Sequence, residues 1–374
     1  MTTGPALFFV DTPLQLLNAI LLRRQMLAPD AHADCLVVAQ FDCDRLIERL
    51  RRSGVFNEVV VVDPMPLDGA HYRRFKLLAS HLGDRGTIAR ALRGDIAYSD
   101  FYLSCPTIMS TQTLNVLRRR NLHVRTRFYE DGNGSYNGNV FRSACYLDDP
   151  PEGTPPNIRA VDAERALFRL LNRGRSAYRP TSFHLFQPRL LTISPRFDVQ
   201  RIEADDESID IASQVFDAPA ATGDRQPRLV VFDAVRTASE KDAGAETVDA
   251  VFAGLEPVGG RCAVYEHPRS TQHSDVLRAL GTRGSGLWEV NCARGYEDAL
   301  LVAVASSALI TPKLIYSYEP HILFLFPLID DLDEGRRATL ESAVDMARTL
   351  YDDPSRVHVA TSADETREFV SRWL

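Results

Sequence analysis

The chain has 374 residues, 45% of them hydrophobic and 25% charged, with a formal net charge of −7. That length fits two domains of roughly 150 to 200 residues each, and the acidic balance argues against a general nucleic-acid binder. The opening "MTTGPALFFVDTPLQ" lacks the basic start and long apolar stretch of a secretory leader, and no apolar run approaches the roughly 18 residues of a membrane span. A cytoplasmic protein, at most peripheral to a membrane, is expected.

In chain order, "ALFFV" reads as a buried strand and "PLQLLNAILLRRQM" as a helix, with Thr12 placed to cap it and Pro13 at its first position. Strand "CLVVAQF", helix "CDRLIERLRRSG" and strand "EVVVVD" follow, then a basic helix around "RRFKLLASHL". Next come strand "IAYSDFYLS", helix "TQTLNVLRRR" and strand "HVRTRFYE". Continuous apolar strands alternating with helices predict a parallel sheet covered on both faces. Residues 137–220 are proline-rich and irregular, an insertion ending in a linker around "APAATGDRQP".

Alternation resumes at "RLVVFDA" with a helix near 244–255, strands "RCAVYE" and "GLWEV", helix "YEDALLVA", and strands "ALIT" and "ILFLF". Helices near 336–350 and 363–374 close the chain. The expected fold is α/β, with two doubly wound Rossmann-like domains, 1–220 and 226–374, facing across a cleft where ligands meet strand carboxyl ends.

The cysteines, Cys35, Cys43, Cys105, Cys145, Cys262 and Cys292, form no CxxC pair and no metal-ligand spacing, so free thiols are expected. "DCD" at 42–44 matches a metal-nucleotide chelating pattern, but Asp42 or Asp44 there serves better as a helix cap. "GTRGSG" at 281–286 lacks the context of a dinucleotide loop and reads as a surface turn.

Three short strings gain weight from their placement. Glu130-Asp131-Gly132 ends a strand of the first half; His267-Pro268 ends a strand of the second; Ser306-Ser307 precedes another. Each alone is compatible with an ordinary turn or cap. Together they offer an acid/base group in one domain, and an imidazole with two hydroxyls suited to a phosphate in the other.

In this order the strings resemble the bacterial two-domain GT-B sialyltransferases, which carry an acidic-acidic-Gly motif, then His-Pro, then a Ser-Ser or Ser-Thr pair. "TPLQLLNA" after the first strand is similar to the opening of the lipooligosaccharide sialyltransferases and related capsule polysialyltransferases. Glu289, in "LWEV", stands where those enzymes have a ribose-binding glutamate.

The resemblance implies inverting transfer of sialic acid from a CMP donor to a hydroxyl of a galactose-containing or anionic surface glycan, with no metal required. It implies one carboxylate as general base, Glu130 first and Asp131 second, since only one of an adjacent pair faces the cleft. His267 is implied to donate to the oxygens of the leaving phosphate, helped by Ser306 and Ser307. Gly132, Pro268, Glu289, Ser306 and Ser307 are implied to meet the donor, and Thr12 and Gln15 to contact substrate. Other readings stay open: transfer of another CMP-activated ulosonic acid such as Kdo, a sugar-nucleotide epimerase, or a two-lobed solute-binding protein.

The stretch 165–196 holds seven arginines and no Asp, Glu or Lys. It reads either as a helix with solvated arginines or as a dock for an anionic acceptor or the inner leaflet of the membrane.

Overall fold

The computed structural model describes residues 3–41, 43–64, 85–92, 96–105, 107–132, 134–136, 180–191, 197–218, 226–236, 243–267 and 270–374. The chain divides into two compact units, Met1–Val215 and Phe216–Leu374. The basic helix expected around 73–82, Asp42, Cys145, Pro268 and most of the arginine-rich stretch lie outside the described residues.

In the first unit the strands are β1 (Ala6–Val10), β2 (Ala33–Val38), β3 (Glu58–Val62), β4 (Asp100–Leu103), β5 (Arg125–Tyr129), β6 (Pro180–Leu185) and β7 (Asp198–Arg201). They form one sheet in the order β3-β2-β1-β4-β5-β6-β7, all pairs parallel. Every residue of β1, β2 and β4 is buried, as a sheet covered on both faces requires. The order reverses between β1 and β4, which opens a crevice at their carboxyl ends.

Local sequence sets the connecting helices. Thr12 caps the helix Pro13–Met26 by accepting from the Gln15 amide, and Arg23 and Arg24 sit in its last turn, where the helix dipole favours cations. Thr107 and Ser110 form a reciprocal capping box on Ile108–Arg120. The helix Asp44–Ser53 begins after Cys43 without a side-chain cap, so Asp44 stands in its first turn, and Gly54 ends it at φ 65°.

In the second unit the strands are β8 (Leu229–Phe232), β9 (Gly259–Tyr265), β10 (Gly281–Arg283), β11 (Leu300–Ala303), β12 (His321–Phe324) and β13 (Val357–Val359). Their order is β10-β9-β8-β11-β12-β13, again all parallel. Leu229, Val231, Val264, Leu300, Val302 and Leu323 pack with the helix residues Val248 and Phe252 into one core. The order reverses between β8 and β11. These are two doubly wound Rossmann-like domains in tandem, the pair of units that makes up a GT-B fold.

Several elements differ from expectation. Residues 137–220 are not wholly irregular: β6, β7 and the helix Asp206–Phe216 come from them. The expected helix "YEDALLVA" is a turn followed by β11, and the expected strand "ALIT" is a 3₁₀ turn, Ser307–Leu309, leading into the helix Thr311–Tyr316. A four-residue apolar run carries no period that separates strand from helix, and burial between β8 and β12 decides it. Pro312 at the start of the next segment favours a helix there.

"GLWEV" is likewise a short helix, Trp288–Asn291, whose indole packs against Phe232, Tyr265 and Tyr296. "GTRGSG" begins as the edge strand β10 rather than as a turn. Strand β13 and the helix Asp275–Leu280 had no counterpart in the sequence reading. Among the described residues, Cys35, Cys43, Cys105, Cys262 and Cys292 form no disulfide. Among the described residues, no helix is long and apolar enough to cross a membrane.

Candidate active site

In the first unit, Asp11 follows β1, Cys105 lies just past β4, and Glu130 and Asp131 follow β5. The two members of the acidic pair part company at once. Glu130 is 1% exposed. Its Oε2 accepts from the Phe186 amide at 2.9 Å and from the Tyr136 hydroxyl, which in turn accepts from the Gln187 amide at 3.1 Å. Burial raises the Glu130 carboxyl to about 8 against these two hydrogen bonds. Glu130 therefore fastens the turn 130–136 to the end of β6.

Asp131 is only half-buried. Its carboxylate accepts from Gln15 Nε2 at 3.2 Å, and the Cys105 thiol also hydrogen-bonds to it. Its amide donates to Ser135 Oγ at 2.6 Å. Gly132 then turns the chain at φ 74°, a left-handed conformation that a residue with a Cβ adopts at a cost. Burial raises the Asp131 carboxyl above its ordinary value, with the Gln15 and Cys105 hydrogen bonds opposing. Asp11 rises to about 6, through burial and then through the Asp131 charge. Burial, with help from the charges of Asp131 and Asp11, pushes the Cys105 thiol up to about 12.

Glu130, placed first of the pair in the sequence analysis, is thus the enclosed carboxyl, and Asp131 is the more accessible one. Adjacent residues at a strand end point to opposite sides, and here Glu130 takes the inward side. Thr12 and Gln15 also have structural partners. Thr12 Oγ1 accepts from the Gln15 amide at 3.3 Å, and Gln15 Oε1 accepts from the Asp11 amide at 2.9 Å.

In the second unit, a cavity of about 760 Å³ opens at the β8/β11 switch point and is lined by His267, Ser306, Ser307, Asp233, Asp331 and Arg336, among others. Three of the residues singled out in the sequence converge on it from the ends of two strands, β9 and β11. Ser306 Oγ accepts from the Ala308 amide at 3.2 Å, which holds the serine turn.

Arg236 holds Asp233, one of the lining residues, in place. It meets Asp233 at 2.7 and 2.9 Å and Asp249 at 2.8 and 2.9 Å. Its amide donates to Ser270 Oγ at 2.9 Å, and its carbonyl accepts from the Thr271 amide at 2.8 Å. The Ser270 amide donates to the His267 carbonyl at 2.9 Å, so the loop after β8 and the His267 loop form one network. Glu289 lies outside the cavity lining. It is half-buried, burial raises its carboxyl, and its carbonyl accepts from the Tyr316 hydroxyl at 2.8 Å.

Asp11, Cys105, Tyr136, Arg236 and Arg336 were not singled out in the sequence. Asp11 carried a signal there, since it directly follows the apolar strand "ALFFV". Arg236 and Arg336 carried none, because their partners and surroundings are set by the fold. Among the described residues, no three His, Cys, Asp or Glu side chains are grouped to hold a metal ion.

No protein-family model and no curated protein matches the chain. Solved structures similar to it include UGT89C1 of Arabidopsis thaliana complexed with UDP-L-rhamnose, at 11% identity and TM-score 0.48, covering 99% of this chain and 90% of that one. UDP-GlcNAc 2-epimerase of Neisseria meningitidis bound to UDP-GlcNAc is 9% identical at TM-score 0.46, covering 98% of each chain. MurG of Acinetobacter baumannii is 11% identical at TM-score 0.44, covering 99% of this chain and 90% of that one.

Proposed function

We propose that the protein is a sugar-nucleotide enzyme of the GT-B class, an inverting transferase that moves an ulosonic acid, sialic acid first, from its CMP donor to a glycan hydroxyl. The observation that carries this reading is the convergence of His267, Ser306 and Ser307 on one cavity at a switch point of the second unit. An imidazole and two hydroxyls supply directed donors to a single phosphate. Such donors meet the charge that develops on CMP as the glycosidic bond breaks, and His267 can pass a proton to that oxygen.

Asp131 is assigned as the general base. It stands at a strand end, half-buried, with a carboxyl more basic than usual. A carboxylate held more basic than usual is better suited to take a proton from an attacking hydroxyl. One base suffices for inversion in a single displacement, and no covalent enzyme intermediate is invoked. The acceptor is a galactose-containing or anionic glycan, and we place the reaction in the cytoplasm, peripheral to the inner membrane.

The test is incubation with CMP-sialic acid, CMP-Kdo and UDP-GlcNAc, following nucleotide release with and without candidate glycans. CMP release from CMP-sialic acid, stimulated by a glycan and lost in Asp131→Asn, supports the reading. Release from CMP-Kdo alone would keep the chemistry and change the sugar. Conversion of UDP-GlcNAc without any acceptor would make the protein an epimerase.

A further inference from the structure

Gln15 is 1% exposed, and both ends of its carboxamide are committed. A backbone N–H can only donate, so the Asp11 amide fixes Oε1 as its acceptor, and Nε2 faces Asp131 Oδ1 at 3.2 Å, with the side chain also hydrogen-bonding the Asp11 carboxyl. The position of the side chain is set locally. Thr12 and Pro13 start the helix, and the Gln15 amide is held by the Thr12 hydroxyl in the first turn. A residue in the first turn of the helix that follows β1 therefore grips a carboxylate at the end of β5, 116 positions along the chain.

We propose that Gln15 is a positioning residue for Asp131, whose carboxamide aims that carboxylate and favours its ionised form, rather than a group that contacts substrate. The inference rests on the assignment of Asp131 as the base. A neutral amide suits the task. A lysine or arginine would hold the carboxylate ionised too firmly to accept a proton, whereas an apolar side chain would leave it against Asp11 with less support. The titratable groups around Asp131 are Asp11 from β1, Cys105 from β4, and Glu130 and Tyr129 beside it on the chain. The first and third of these disfavour a second negative charge. Gln15 and the Cys105 thiol are the donors that oppose this.

Two variants test the role. Gln15→Met keeps the volume and removes the donor; Gln15→Glu keeps the shape and adds a carboxyl. Each protein, labelled with carboxyl-¹³C aspartate, is titrated by NMR, with Asp131→Asn identifying the resonance. The Asp131 titration is expected to rise by about one pH unit in Gln15→Met and further in Gln15→Glu. The acid limb of kcat/KM should move with it, while KM for the donor stays unchanged and kcat falls about tenfold. A purely structural role would lower activity without moving either titration.

An Asp131 resonance that titrates alike in wild type and in whichever variant folds overturns the inference, whatever the protein transfers. A resonance that shifts in a protein inactive on every CMP-sugar supports the clamp and overturns the transferase reading instead.

Discussion

Glu130→Gln separates the two members of the acidic pair in a way that needs no substrate. Glu130 has a folded-state pKa raised to about 8 by burial, against 4.5 ordinarily. Between those values the folded protein holds a proton that the unfolded chain has released. Stability is therefore highest below the unfolded value and is lost as pH rises toward the folded one. One proton changes the unfolding equilibrium tenfold per pH unit, so from pH 5 to pH 7.5 the loss approaches about 3 kcal/mol. The glutamine side chain of the variant titrates no proton, yet its Oε1 can still accept from Tyr136 and from the Phe186 amide.

The variant should be at least as stable as wild type at pH 7.5, with a shallower pH dependence. Asp11 adds a slope of the same sign, but only between 3.8 and about 6, and it remains in both proteins. Both tryptophans, Trp288 and Trp373, lie in the second unit. Fluorescence therefore reports on the wrong half, and the assay is hydrogen exchange by mass spectrometry on peptides spanning 125–136 and 180–187. Equal loss of protection in wild type and Glu130→Gln between pH 5 and 7.5 would refute the reasoning. As a control, Glu130→Ala strands two buried donors and should cost about 1–3 kcal/mol for each at any pH.

Asp131→Asn should lower transfer by about 10²- to 10⁴-fold with CMP affinity unchanged, read by initial rates and calorimetry. Arg236→Met leaves Asp233 and Asp249 without their shared cation, which should cost about 3 kcal/mol in urea denaturation and weaken CMP binding through the cavity rim. Gly132→Ala, at φ 74°, should lose about 1 kcal/mol and reduce kcat more than donor KM, because the turn carries Asp131. Transfer should persist in EDTA, since the reading assigns the phosphate to His267 and the serine hydroxyls; complete loss reversed by added metal would contradict it.

The frame of the protein was legible in the sequence where strands are buried on both faces. "ALFFV", "CLVVAQF" and "RLVVFDA" read as strands because each holds four or more consecutive apolar residues, and β1, β2 and β8 occupy the sheet interiors. Legibility failed where a short segment takes its identity from distant neighbours. "LLVA" is a strand because β8 and β12 flank it. "WEVN" is a helix whose indole fills an aromatic cluster.

The same limit applied to the site. His267, Ser306 and Ser307 could be placed from strand ends alone, and the cavity gathers them. Which of Glu130 and Asp131 is enclosed could not, because it depends on Phe186 and Tyr136 closing over one carboxyl. Gln15 stands out in the sequence through "TPLQLLNA", but its two partners follow β1 and β5, whose ends only the fold brings together.

The central claim, a CMP-donor site in the second unit, is tested most directly by calorimetric titration of CMP and UDP into wild type and into the His267→Ala and Ser306→Ala/Ser307→Ala proteins. The account predicts one CMP site per chain in wild type, at least tenfold weaker in each variant, and no comparable affinity for UDP. Tight binding of UDP in place of CMP, or CMP binding untouched by all three substitutions, would contradict it.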